Sequence, residues 1–158
     1  MELKFYKIRK NAKLPRRAHA TDAGMDLFYC PDLTQNLQCV WEPGHKFKIP
    51  PGENCLVPTG LKVNLPPHYM LEIKNKSSVA TKRQLLIGAC VIDPGYTGEI
   101  LVNLHNIGRE TQEIAAGQKI AQAVLVPIDV CDVTETYVDP ENKKTLRGPS
   151  GFGSTGEY

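Results

Sequence analysis

The chain has 158 residues, 41% of them hydrophobic and 23% charged, and its nineteen Lys and Arg against seventeen Asp and Glu leave a formal net charge of +2. That length is one domain's worth with a moderate core, and the near-balance of charge gives no electrostatic footprint for a nucleic-acid or membrane surface. No apolar run approaches the ~18 residues of a membrane span, and the start, Met1-Glu2-Leu3-Lys4, lacks an apolar signal core; an intracellular, soluble protein of cytoplasm or nucleus is expected.

Twelve prolines and thirteen glycines break the chain at short intervals. Between them lie short runs rich in Val, Ile, Leu and aromatic residues, the rhythm of an all-β barrel or sandwich. In chain order this predicts strands at 3–8, 27–29, 38–41, 53–65, 69–75, 88–92, 99–106 and 119–128. Only 77–83 reads as a helix, opening on Ser77 and Ser78, whose hydroxyls can cap it. The alternation in Glu99-Ile100-Leu101-Val102-Asn103-Leu104-His105 marks a strand with one wet face. The five cysteines, Cys30, Cys39, Cys55, Cys90 and Cys131, are odd in number and contain no Cys-x-x-Cys. They indicate neither a disulfide framework nor a zinc cage and read as free thiols.

Residues 1–146 form the predicted domain and 147–158 a tail with too little to bury to fold alone. The tail matches the dinucleotide fingerprint as text, Gly151-x-Gly153-x-x-Gly156, but has no strand before it and no helix after it, and no lysine precedes Ser154 as a P-loop requires. Its composition suits a lid over a nucleotide: glycines let main-chain N–H groups approach phosphate oxygens, hydroxyls donate, Arg147 forks onto an anion and Phe152 offers a flat face to a base.

Four polar islands precede the tail. Ala20 to Leu27 places small residues before Asp26 at the head of a strand. Lys74 to Lys82 is cationic and hydroxyl-bearing at a helix start, which suits an anion. Gly88 to Gly98 is a small-residue hairpin leading to Asp93 and Tyr96. Gly117-Gln118-Lys119-Ile120-Ala121-Gln122 is a turn entering a strand.

In this order, with the tail last, the five islands resemble the five motifs of the trimeric dUTP pyrophosphatase (dUTPase) family, from about Ala20 to Gly156. The resemblance implies a distorted β-barrel or jelly roll with one short helix, a homotrimer that exchanges its C-terminal tails, and magnesium-dependent hydrolysis of dUTP to dUMP and pyrophosphate. That reaction limits uracil incorporation into DNA and supplies dUMP for dTMP synthesis. Asp93 matches the family's catalytic aspartate, which polarises a water for in-line attack on the α-phosphorus. Tyr96 matches the tyrosine that packs on the deoxyribose and excludes a 2′-hydroxyl. The main chain of Ile87, Gly88, Ala89, Cys90 and Val91 stands where the family reads uracil. Lys76, Ser77 and Ser78 fall where the family usually has Arg-Ser-Gly, so a point charge replaces a planar fork. Gln122 matches a glutamine at the α-phosphate, and Gln118 stands where an aspartate is usual. Asp26 matches an aspartate in the outer shell of a Mg2+ held chiefly by the phosphates. In the tail, Arg147, Gly153, Ser154, Thr155 and Gly156 would meet the γ-phosphate side and Phe152 would stack on uracil.

Three rival readings share the fold: a dCTP deaminase, a modified-pyrimidine triphosphatase and a regulatory binding protein. The first needs a general acid/base carboxylate where this chain has Asn103. The last is motivated by 30–48, longer than the family usually carries between its first two motifs and holding the only tryptophan, Trp41, a candidate protein anchor.

Overall fold

The computed structural model describes residues 1–31, 41–42 and 46–139. The tail motif and most of the 30–48 insert, including the Trp41 side chain, lie outside the described residues. The elements run β1 (Lys4–Lys7), β2 (Met25–Phe28), β3 (Trp41–Glu42), β4 (Lys46–Ile49), β5 (Asn54–Pro58), β6 (Leu61–Asn64), β7 (Tyr69–Lys74), α1 (Ser77–Arg83), β8 (Leu85–Ile87), β9 (Val91–Ile92), β10 (Leu101–Asn106), β11 (Gln112–Ile114) and β12 (Lys119–Pro127). Among the described residues the chain is mostly β with one short helix, as expected. The 53–65 run, however, is two strands, separated at Thr59 and Gly60, where Gly60 takes a φ of 73°.

All strand pairs are antiparallel. They form four sheets, β1-β6, β5-β10-β8, β11-β4-β3 and β2-β12-β7-β9, so hydrogen bonding among the described residues does not run round a closed barrel. The sheets share one apolar core to which β2, β4–β8, β10–β12 and α1 all contribute, centred on fully buried Leu27, Phe47, Ile49, Leu71, Leu104 and Ile120. Alternation is clean in β10, where Val102, Leu104 and Asn106 turn inward and Leu101, Asn103 and His105 face a half-exposed surface. The α1 helix has seven residues, too few to be stable alone; it is held by burying Val79 and ends on Gln84 in the left-handed region, with a φ of 52°. It is too short and polar to cross a membrane, as is any helix among the described residues.

Polar groups in the core are satisfied locally, as burial demands. Asn106 Nδ2 donates to the carbonyls of Ile49 and Glu110, each at 2.8 Å, and its Oδ1 accepts from Gly108 N at 2.9 Å. Glu99 and Arg9 form a shielded ion pair, and Glu99 Oε1 also accepts the Gly60 N–H at 2.6 Å. Cys30, Cys90 and Cys131 are free thiols as expected, but Cys55 on β5 is not: it is disulfide-bonded.

Candidate active site

β2, β7 and β12 lie side by side, and their register brings three of the polar islands together. Gln122 on β12 pairs with Asp26 on one side and Lys74 on the other. Asp26 is 5% exposed. Lys76 Nζ lies 2.8 Å from its Oδ1 and Lys119 Nζ 2.6 Å from its Oδ2. Burial pushes the Asp26 carboxyl up, but the hydrogen bonds to Lys119 and Lys76, with their charges, outweigh it and hold the group below its ordinary value. Lys119, to which the sequence reading gave no role, is thus half of the clamp on Asp26.

The Gln122 side chain is equally fixed. Its Nε2 donates to the Asn75 carbonyl at 2.9 Å. Gly24 packs against its amide so closely that a Cβ there would lie 2.0 Å from Oε1. Asn75 is a node: while its carbonyl takes Gln122, its Oδ1 accepts the Ile87 N–H at 2.8 Å. Gln118 closes the turn before β12, its Oε1 accepting from Ala115 N at 2.9 Å; this accounts for a glutamine at that position without a ligand.

Ser77 and Ser78 open α1 and are exposed. The expected serine cap is absent: Lys76 is the N-cap, without a side-chain capping bond. Val79 and Ala80 N–H groups both donate to the Lys76 carbonyl at 2.9 Å. The serine hydroxyls have no partner among the described residues, so an exposed patch beside Lys76 carries donors without acceptors, chemistry suited to an anion.

The 88–98 island also differs from the hairpin expected. β8 pairs with β10 while β9 pairs with β7, so Gly88–Cys90 crosses between two sheets. Beyond β9 the chain turns at Asp93-Pro94-Gly95-Tyr96, closed by Tyr96 N donating to Asp93 O at 3.2 Å, with Gly95 at a φ of 88°. Proline then glycine at the central positions is the type II pattern. The turn presents Asp93 and Tyr96 at its two corners, both exposed, and the Tyr96 hydroxyl donates back to the Glu99 carbonyl at 3.0 Å. A cavity of about 420 Å³ opens beside Tyr96, lined also by Phe5, Lys62 and Leu65.

Among the described residues, Asp93 is not brought beside Gln122. Ile92 pairs with Leu71, which places Asp93 near Met70, whereas Gln122 pairs with Lys74. Four residues along β7 separate them, roughly 13 Å at the rise of a strand. The register thus sets Asp93 apart from the phosphate-type cluster (Asp26, Lys76, Ser77, Ser78, Gln122), whereas 87–91 adjoins that cluster: Asn75 accepts the Ile87 N–H, and the Cys90 carbonyl accepts the Ile73 N–H at 2.7 Å. Arg147, Phe152, Gly153, Ser154 and Thr155 lie outside the described residues.

The Asp26 clamp carries a pH prediction. A carboxyl held below its ordinary value stabilises the fold at pH above that ordinary value, and the contribution is lost as pH falls through the lower, folded value. Asp26→Asn is expected to cost about 2 kcal/mol at neutral pH, the half-exposed lysines keeping the penalty below that of a fully buried broken pair. The gap between wild type and variant in urea titrations should hold constant above about pH 5 and close below about pH 4. A gap that persisted to the acid limit would show that the carboxylate charge is not what the clamp uses.

A family model described as dUTPase matches residues 44–156. The deoxyuridine 5'-triphosphate nucleotidohydrolase of Gloeothece citriformis is 40% identical over 158 residues, covering 99% of this chain and 97% of that protein. That of Clostridium kluyveri is 39% identical, covering 99% of each. Among solved structures, the dUTPase of Staphylococcus bacteriophage 80alpha with dUpNHpp superposes with a TM-score of 0.81 at 26% identity, covering 98% of each chain. With the family model spanning most of the sequence and full-length relatives at this identity, the chain belongs to the dUTPase family.

Proposed function

We propose that this chain hydrolyses dUTP to dUMP and pyrophosphate by attack of water on the α-phosphorus. The observation that carries the reading is the grouping of Asp26 with Lys76, its ion-pair partner, and with Gln122, its register partner, in a chain of the dUTPase family. Asp93 is the base that orients the water and takes its proton. The Tyr96 ring packs on the deoxyribose and leaves no room for a 2′-hydroxyl. The main chain of 87–91 reads the base. Lys76, Ser77, Ser78 and Gln122 hold the phosphate chain, where donors aimed at developing charge lower the barrier. Residues 147–158 close as a lid, with Arg147, Gly153, Ser154 and Thr155 on the γ-phosphate side and Phe152 over the base.

Among the described residues, no group of three or more His, Cys, Asp or Glu could hold a metal. The donor set fits a Mg2+ that arrives on the triphosphate, with Asp26 reaching it through water once a clamping lysine turns to a phosphate. When bound, the ion neutralises phosphate charge.

The offset of roughly 13 Å along β7 between Asp93 and Gln122 supports a site assembled from more than one copy, and hence the homotrimer. So does the segment after β12: Val130, Val133, Tyr137 and Val138 are exposed, with Val133 at 96%, and exposed apolar side chains of that size are suited to covering by a neighbouring subunit. A cytoplasmic location fits an enzyme of the nucleotide pool; the nuclear alternative has no support. Asn103, which cannot shuttle a proton, disfavours deamination.

Incubating the full chain with Mg2+ and, separately, dUTP, dTTP, dCTP and UTP tests the reading. Release of dUMP from dUTP alone is expected. Deaminated product from dCTP, or no turnover of any, would overturn it.

A further inference from the structure

The side chains behind the base-reading segment carry a further assignment, resting on the dUTP reading. Gly88–Cys90 crosses between sheets with three main-chain N–H groups, two of which are taken internally. Gly88 N donates to the Asn103 carbonyl at 3.0 Å, and Ala89 N to Asn103 Oδ1 at 3.2 Å. Cys90 N–H has no partner among the described residues, and neither do the Gly88 and Ala89 carbonyls.

The Asn103 amide is itself held. Its Nδ2 donates to Asn54 Oδ1 at 3.2 Å, and His105 Nε2 lies 3.0 Å from its Oδ1. Asn54 and His105 are register partners on β5 and β10, so the sheet fixes the spacing of this trio. Gly88 sits directly on it. A Cβ there would lie 2.0 Å from Asn103 Oδ1 and 2.4 Å from His105 Nε2, so no side chain separates the crossing segment from the amide.

The chemistry of the two pyrimidines makes this arrangement selective. Uracil presents an O4 acceptor beside an N3–H donor, which one free N–H and one free carbonyl complement. Cytosine presents an amino donor beside an N3 acceptor, and a second free N–H, at Ala89, is the group that N3 would use. We propose that Asn103 is a specificity-positioning residue: it withdraws the Ala89 N–H from the base pocket and seats Gly88–Ala89 so that Cys90 N–H alone meets the base. Asn103 touches no substrate; it acts through Ala89.

The test measures kcat and KM for dUTP and dCTP, with Mg2+, on full-length wild type, Asn103→Ala and Asn103→Asp, with melting curves on each. For Asn103→Ala the ratio of kcat/KM for dUTP over dCTP should fall about tenfold, the scale of one mispaired polar group in the bound complex. The change should lie mainly in KM, because Asp93 is untouched. Asn103→Asp keeps an acceptor for Ala89 N–H and should retain the ratio. If Asn103→Ala does not fold, Asn103→Ser, whose hydroxyl is too short to reach Ala89, takes its place with the same expectation. Equal losses for both nucleotides, or loss of the ratio in Asn103→Asp as well, would reduce Asn103 to a structural residue and overturn the proposal while leaving the reaction intact. A wild type that does not turn over dUTP would overturn the reaction, and the proposal with it, in the first assay.

Discussion

Asp93→Asn is expected to leave the fold, the assembly and nucleotide binding unchanged while lowering kcat for dUTP about a thousandfold, within the range for removing a positioned general base. The turn that presents Asp93 is closed by main-chain atoms, Tyr96 N to Asp93 O at 3.2 Å, with Pro94 and Gly95 setting its shape. The exposed Asp93 side chain supports nothing behind it. Replacing a carboxylate oxygen by an amide nitrogen at an exposed corner removes no packing, so stability should not change. The amide keeps the shape and loses the capacity to accept a proton, so the loss should fall on kcat with KM little altered. The checks are steady-state kinetics with Mg2+, calorimetric titration with dUpNHpp and sedimentation for the assembly. Full activity in the variant would remove Asp93 from the mechanism; a loss of binding equal to the loss of rate would make it a ligand instead of a base.

Removing 147–158 is expected to leave a folded protein with turnover lowered about a hundredfold or more, as for a lid that completes a site and excludes water. The core argues for the first half. Its last buried member is Ala123, and every described residue from Asp129 to Asp139 is exposed, so truncation at 146 withdraws nothing that the described residues bury. Melting temperature should shift by no more than about 2 °C, while kcat/KM for dUTP collapses and that of any residual reaction becomes insensitive to further shortening. An unfolded truncation product would make the tail structural; undiminished turnover would deny it the role of lid.

The helix at 77–83 was legible because a polar start, good helix formers and a basic end are local properties, and most strands were legible from short apolar runs between prolines and glycines. β4, β8 and β11 were not. Each has three or four residues, below the length at which periodicity separates strand from loop, and each is a strand only because a partner lies alongside. Asp26, Lys76 and Gln122 could be singled out by their setting in motifs that resemble a family. Lys119 could not, nor could the bond between Asn103 and Ala89, since these contacts exist only across the β2–β12 register and beneath the Gly88 crossing.

The sequence by itself determined the class of fold, the five islands and their order, because composition, turn chemistry and motif spacing are written along one dimension. The tertiary structure alone decided that Asp26 is clamped by two lysines, that Asn75 ties Gln122 to Ile87, and that Gly88–Cys90 bridges two sheets instead of closing a hairpin. The physical reason is register. Antiparallel pairing sets which residues face each other to within one strand position, and residues 47 apart, such as Gln122 and Asn75, meet only when long-range pairing has fixed that register.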